Sequence, residues 1–105
     1  MAQFSVHENP DPRTKGDVPF LLDVQSNVLS VLASRVVVPL YRPETLSSRT
    51  MTRLTPTVTV ENRSLIAMVP EMAGIHQRNL GPVAGDLSAV RHELLQAIDL
   101  LLTGF

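Results

Sequence analysis

A chain of 105 residues has the length of one domain with one core, and its 44% hydrophobic residues are enough to fill that core. Nine Lys and Arg against ten Asp and Glu give a net charge of −1, without the basic excess that phosphate-binding surfaces normally need. The absence of cysteine excludes disulfides, thiolate zinc sites and cysteine nucleophiles. We expect one domain over residues 1–105, soluble and cytoplasmic, without a cofactor or metal and without affinity for membranes or, on its own, for nucleic acid.

The first third of the sequence predicts two strands and two loops. Residues 2–7 alternate weakly and predict a short strand, which the prolines at 10 and 12 end. After a loop to about residue 19, residues 20–25 alternate and predict a half-buried strand. We expect Phe20, Leu22 and Val24 on its core face, and Leu21, Asp23 and Gln25 on the other face. Residues 26–34 mix apolar side chains with serines and predict a partly exposed loop.

The middle of the chain predicts three more strands. Residues 35–40 contain three successive valines, which is typical of a strand buried on both faces or nearly so. Residues 43–52 predict a polar loop. Residues 57–61 alternate with Val58 and Val60 inward, and a turn at Asn62-Arg63 leads to a second strand over 64–69, which together predict a hairpin. The prolines and glycines in 69–85 indicate loop and short edge strand instead of helix.

The last segment changes to helical periodicity. Spacings of three and four predict one apolar helix face, formed by residues 87, 90, 94, 98 and 101 and widened by 95 and 102. Asp86 or Ser88 can cap its start, and Gly104 suits its end. A run of strands followed by one terminal helix predicts a mostly β, α+β architecture or a small barrel.

Catalytic motifs are weak in this sequence. The three histidines, at 7, 76 and 92, fall in three different predicted elements and form no metal-spaced pair. Asp23 follows a strand and could act as a general base, but a solvated strand carboxylate is the alternative. We therefore expect a protein that is not an enzyme and acts by binding another protein.

Arginine and the C-terminus indicate where such binding could occur. Arg35, Arg42, Arg49 and Arg53 cluster in the sequence, which predicts either an acidic partner or a solvated loop. The last helical turn, 99–102, has no cation to complement the negative end of the helix. Residues 103–105 are then either a recognition tip or a terminus in which Phe105 folds back on the core.

Several stretches in constant order resemble the CcdB family of toxins from toxin–antitoxin pairs. The match covers about residue 20 to the end, with Gln3-Phe4 before it, and residues 8–18 match poorly. The stretches are Leu22-Asp23-Val24-Gln25-Ser26, Val36-Val37-Val38-Pro39-Leu40, Leu54-Thr55-Pro56, Glu71-Met72-Ala73, Asp86-Leu87-Ser88 and Ala97-Ile98-Asp99-Leu100 with Gly104.

The resemblance implies an SH3-like β-barrel with a small extra sheet and one C-terminal α-helix, working as a homodimer. It implies a toxin that inserts between the GyrA arms of DNA gyrase and traps the enzyme on cleaved DNA. The gyrase-binding residues would be Val28, Leu29, Asp99, Leu102, Thr103, Gly104 and Phe105. A CcdA-like antitoxin would bind loops at 13–18 and 44–53 through Arg13, Lys15, Arg49 and Arg53, and operator DNA would be bound only together with that antitoxin.

The sequence departs from the plasmid-type pattern at the helix tip. Thr103 stands where that pattern has Trp, and Asp99 stands where it has Asn, so a stacking surface is lost and a charge is gained. Two alternatives stay open on the same resemblance. One is an endoribonuclease like the related MazF/Kid toxins, and the other is a homologue that has lost gyrase but still binds its antitoxin.

Overall fold

The computed structural model describes residues 2–46 and 53–104. This part contains seven strands, two α-helices and four 3₁₀ turns. The strands are β1 (Ser5–Glu8), β2 (Phe20–Asp23), β3 (Ser34–Tyr41), β4 (Thr57–Val60), β5 (Arg63–Ala67), β6 (Ala73–His76) and β7 (Val83–Asp86). The helices are α1 (Pro43–Leu46) and α2 (Arg91–Thr103), and the 3₁₀ turns are Asn27–Leu29, Val69–Glu71, Gln77–Asn79 and Ser88–Val90.

The strands form one antiparallel sheet that curls into a half-barrel. Its order is β4-β5-β3-β2-β1-β7, and β6 pairs separately with the first half of β3. The eight-residue β3 makes this possible, because it pairs with β6 through residues 34–37 and with β5 through residues 40–41. The two outer strands approach each other, since a Cβ on Gly85 in β7 would lie 3.7 Å from Val60 in β4. The expected fold class, a mostly β barrel with one C-terminal helix, is confirmed.

The core lies between the concave side of the sheet and α2. It consists of aliphatic side chains with two phenylalanines, including Phe4, Val6, Phe20, Leu22, Val38, Leu40, Leu65, Val69 and Leu94. The alternation in β2 and β4 placed their core-facing residues correctly, including Val58 and Val60. Val37 and Val38 are both buried, which confirms that β3 is covered on its two faces.

Several predicted boundaries and part of one predicted loop were wrong. The first strand begins at Ser5 and not at residue 2, because a turn precedes it in which Phe4 has a φ of 70°. The hairpin turn lies at Glu61 and Asn62, one residue before the predicted position, and both residues have the positive φ that is typical of a two-residue hairpin loop. Residues 43–46 form α1 and not loop, and Leu46 is buried; the rest of that predicted loop, 47–52, lies outside the described residues.

The terminal helix confirms its predicted type and end but not its predicted start. A 3₁₀ turn, Ser88–Val90, precedes the α-helix, and Asp86 Oδ1 accepts a hydrogen bond from the Ser88 N–H at 2.8 Å. Gly104 ends the helix in the left-handed conformation with a φ of 78°. Within the described residues, none of the helices has both the length and the apolar character needed to cross a bilayer.

Candidate functional site

The last turn of α2 leaves apolar side chains uncovered. Leu94 and Ala97 are buried and Ile98 packs against the core, whereas Leu101 is 36% exposed and Leu102 is 68% exposed. The predicted stripe is therefore a core face as far as Ile98 and is exposed beyond it. An exposed leucine at the last turn of a helix supplies apolar area for a partner, because a core on the same chain does not use it.

The C-terminal end of α2 carries four of the residues that the resemblance assigns to gyrase binding, which are Asp99, Leu102, Thr103 and Gly104. Thr103 Oγ1 donates a hydrogen bond to the backbone carbonyl of Asp99 at 2.7 Å, and the Gly104 N–H donates to the carbonyl of Leu100 at 2.9 Å. The last turn contains no basic residue, so Asp99 and the remaining helix carbonyls make this end negative. Phe105 lies outside the described residues.

Val28 and Leu29, which were also predicted to bind gyrase, lie on an exposed apolar loop. Val28 and Leu29 belong to the 3₁₀ turn that follows β2, and Val31 and Leu32 come directly after it. The exposed fractions are 86% for Val28 and 90% for Val31, and both leucines are at 46%. This confirms the prediction of an exposed loop and places four aliphatic side chains on it.

A buried ion pair lies at the base of this loop and contradicts both predictions made for Asp23. Asp23 and Arg35 are both completely buried, and Arg35 Nε and Nη2 donate to Asp23 Oδ2 and Oδ1 at 2.8 and 3.1 Å. Asp23 was expected on the outer face of β2 as a solvated carboxylate or a general base. The side chain is instead buried against Arg35, and a carboxylate held by a bidentate arginine is not free to take a proton from a substrate.

Gln25 was also expected on the outer face and is buried as well. Its Oε1 accepts a hydrogen bond from the Val36 N–H at 3.0 Å, and its Nε2 donates to the carbonyls of Leu29 and Ser34, both at 3.3 Å. A buried amide must satisfy its polar atoms within the protein, and Gln25 does so across the loop.

The predicted arginine cluster is divided by the structure. Arg35 is buried in the ion pair and is unavailable to any partner. Arg42 pairs with Glu44 at 3.0 Å on the surface, and Arg53 is exposed. Arg49 lies outside the described residues.

The two loops that were predicted to bind the antitoxin, 13–18 and 44–53, lie next to each other where the second one begins. Arg42 donates from its backbone N–H to the Asp17 carbonyl at 3.0 Å and from Nη1 to the Gly16 carbonyl at 3.2 Å. Thr45 Oγ1 donates to Asp17 Oδ1 at 3.2 Å. The loop that carries Arg13 and Lys15 is therefore docked on the segment that begins at α1, and both basic side chains are exposed.

A cleft of about 680 Å³ opens beside Arg13 on the outer face of the sheet. Leu21, Pro39 and Ile75 line it together with two arginines and two carboxylates, which are Arg13, Arg78, Asp11 and Glu71. Arg13 Nε pairs with Asp11 Oδ1 at 3.2 Å, and this hydrogen-bonded pairing holds the pKa of the Asp11 carboxyl below its usual value.

Tyr41 also lines the cleft, and its hydroxyl donates a hydrogen bond to Glu71 Oε1. Burial of the ring, followed by the hydrogen bond to Glu71 and its charge, raises the pKa of Tyr41 to about 12. The phenol is therefore neutral at physiological pH and acts as a donor.

The histidines lie in separate elements, as expected. His7 is buried in β1 with Nδ1 3.0 Å from the Gly81 carbonyl, while His76 is exposed at the end of β6 and His92 is exposed in α2. Within residues 2–46 and 53–104, no three His, Asp or Glu side chains are grouped so that they could hold a metal ion.

A family model described as "CcdB protein" matches residues 3–104 of this chain. The chain belongs to the CcdB family. It is thus a toxin of a toxin–antitoxin system, in a family whose members bind cognate antitoxins.

Solved structures similar to this CcdB family member show the same fold at low sequence identity. A mycobacterial endoribonuclease in complex with its cognate antitoxin has a TM-score of 0.74 and 15% identity, over 97% of this chain and 94% of that one. The Mycobacterium tuberculosis toxin MazF-mt6 has a TM-score of 0.71 and 16% identity, over 93% and 95%. A further mycobacterial endoribonuclease has a TM-score of 0.69 and 16% identity, over 97% and 90%.

Sequence reasoning missed the network of Asp23, Gln25 and Arg35 and the cleft. One signal for the network was present, since β2 and β3 pair as neighbours with Asp23 opposite Val37. An acid and a base two positions off register on the same face of such a pair are within reach of each other. The cleft left no comparable signal, because its walls come from four separate segments.

Proposed function

We propose that this protein binds the GyrA component of DNA gyrase and traps the enzyme on cleaved DNA, with no chemistry of its own. The observation that carries the proposal is the uncovered end of α2, where Leu102 is exposed beside Asp99, Thr103 and Gly104. These are the residues that the family resemblance assigns to gyrase.

The chemistry of the helix end supports a basic target. The free carbonyls of the last turn and the Asp99 carboxylate give it negative potential, and Leu101 and Leu102 add apolar area. A surface of this kind suits an arginine with aliphatic neighbours, because the guanidinium satisfies the charge while its carbon stem packs on leucine.

The protein acts as a homodimer in this proposal. Exposed aliphatic side chains on the 26–33 loop and on α2 supply more apolar area than one copy covers. A two-fold axis would double the gyrase-binding residues, including Val28 and Leu29. Analytical ultracentrifugation at micromolar concentration tests this, and a monomer would contradict it.

A CcdA-like antitoxin binds a different surface of the molecule in this proposal. Arg13 and Lys15 are exposed on a loop that is docked on the α1 segment, with Arg53 from the segment after it. The adjoining cleft offers Leu21, Pro39 and Ile75 to apolar side chains and Arg78 to a carboxylate. An acidic, partly apolar segment of the antitoxin fits that combination.

The deciding experiment is a gyrase–DNA cleavage assay with the purified protein and with a version lacking residues 103–105. Trapped cleavage by the full chain alone would support the helix tip as the poison. If neither protein traps DNA while both are folded and bind antitoxin, the chain is a homologue that has lost its target.

An endoribonuclease is the second candidate, favoured by the cleft on a fold shared with RNA-cleaving toxins. Two arginines there lie near the Tyr41–Glu71 pair, but two carboxylates balance their charge, which does not favour a polyanion. Degradation of RNA by the pure protein, lost on Arg78→Ala, would establish this function and displace the first.

A further inference from the structure

Gln25 is the side chain that reaches the middle of the apolar loop, residues 26–33. Its Nε2 donates to the carbonyl of Leu29 inside the loop and to the carbonyl of Ser34 where β3 begins. Its Oε1 accepts from the Val36 N–H. One amide group thus connects the loop to the strand that follows it.

The backbone of Gln25 is itself fixed by the buried ion pair. The Gln25 N–H donates to Asp23 Oδ1 at 3.0 Å, and its carbonyl accepts from Arg35 Nη2 at 3.2 Å. The side chain that holds the loop therefore starts from a point with little freedom to move.

The loop depends on such polar contacts because it buries little of its own surface. Residues 26–33 are all exposed, and none of their aliphatic side chains enters the core. Other hydrogen bonds hold its two ends, from the Gln3 N–H to Asn27 Oδ1 at 2.7 Å and from the Gln77 N–H to the Ala33 carbonyl at 2.8 Å. Between these ends, Gln25 supplies the contact to Leu29.

We propose that Gln25 is a positioning residue for the gyrase-binding surface, which holds Val28 and Leu29 in their binding conformation before the target arrives. The inference rests on the proposed function. A loop that is already ordered loses less conformational entropy on binding, so its contacts contribute more fully to affinity. Gln25 acts through the loop and does not touch the target.

Two substitutions test the role. Gln25→Glu keeps the acceptor for Val36 but places a carboxylate oxygen against the Leu29 and Ser34 carbonyls. Gln25→Met fills the same space with neither donor nor strong acceptor. Gln77→Glu is the matched control, since it adds the same charge, its side chain is exposed, and its link to the loop runs through the backbone.

The measurements are gyrase-binding kinetics and amide hydrogen exchange at Leu29, Ser30 and Leu32, at a temperature where every variant is fully folded. Gln25→Glu loses two hydrogen bonds and Gln25→Met loses three, so both variants should bind gyrase about tenfold more weakly or worse. Exchange should accelerate in the loop while the amides of β1 and β2 keep their protection. Gln77→Glu should match the wild type in both measurements.

The outcomes separate this inference from the function on which it rests. If the wild type does not bind gyrase, the proposed function fails and this role fails with it. If the wild type binds and both Gln25 variants bind equally well, Gln25 is only a structural residue and the inference is overturned. Uniform loss of protection across the sheet would overturn it in the same way.

Discussion

Arg35 Nε donates to Asp23 Oδ2 across 2.8 Å, and neither side chain is accessible to solvent. Removing one member leaves the other charge buried without its partner. We predict that Arg35→Met lowers the free energy of unfolding by about 3–5 kcal/mol, measured by urea denaturation.

The matched control for this pair is the double substitution Asp23→Leu with Arg35→Met. It removes both charges, and its cost should be smaller than the sum of the two single costs. A loss of less than about 1 kcal/mol for Arg35→Met would show that solvent reaches the remaining carboxylate.

Gly81 closes the connection into β7 at a point where a side chain has no room. Its N–H donates to the Glu8 carbonyl at 2.9 Å, and a Cβ there would lie 2.5 Å from that oxygen. We predict that Gly81→Ala destabilises the protein by about 1–3 kcal/mol in thermal or urea unfolding. Gly74→Ala is the control, because a Cβ at that position meets no atom within 4 Å, and equal effects of the two changes would contradict the prediction.

Tyr41 gives a pH dependence that can be followed directly, since it is the only tyrosine and the chain has no tryptophan. Its pKa is raised to about 12 by burial and then by Glu71, so folding favours the neutral phenol. The resulting stability is fully present below the unfolded pKa near 10 and is lost as the pH rises toward 12.

Absorbance titration of the phenol, with circular dichroism recorded in parallel, measures this pKa. Glu71→Gln should lower the midpoint and still leave it above the ordinary value, because burial is the larger cause. A wild-type midpoint near 10 with the folded spectrum intact would contradict the assignment.

A substitution at Leu102 tests whether the C-terminal end of α2 binds gyrase. Leu102→Asp should weaken gyrase binding by about tenfold or more, because the apolar contact proposed with gyrase is replaced by a charge next to Asp99. The control is Val83→Asp on β7, since Val83 is 63% exposed and Leu102 is 68% exposed. Binding experiments that show the same loss for both substitutions would argue against a specific role for the tip.

A substitution at Arg13 tests the surface that is proposed to bind the antitoxin. Arg13→Glu should leave the unfolding midpoint nearly unchanged, because its ion pair with Asp11 is exposed, and should weaken antitoxin binding about tenfold with a smaller salt dependence. Arg91→Glu makes the same charge change at an exposed position at the start of α2 and should have no such effect. Antitoxin titrations that give equal affinities for both variants would place the binding site elsewhere.

Local pattern predicted the elements well where one side of a segment faces the core. The alternation of β2 and β4 and the three- and four-residue spacing of α2 are properties of neighbouring residues, so they could be obtained from the sequence. Turn positions were less accurate: Asn62 is of a residue type that favours positive φ, but Phe4 and Glu61 also adopt positive φ, which their residue types do not favour.

What the sequence determined by itself is the family, the barrel with one terminal helix and the glycine that ends that helix. What the tertiary structure decided is which side chains are buried and which stay exposed to solvent. Asp23 and Gln25 lie on the strand face that was expected to point outward and are buried in a hydrogen-bonded network with Arg35, while Leu101 and Leu102 continue a core stripe and are exposed. Periodicity fixes the side on which a residue points, but burial also depends on what the rest of the chain places there.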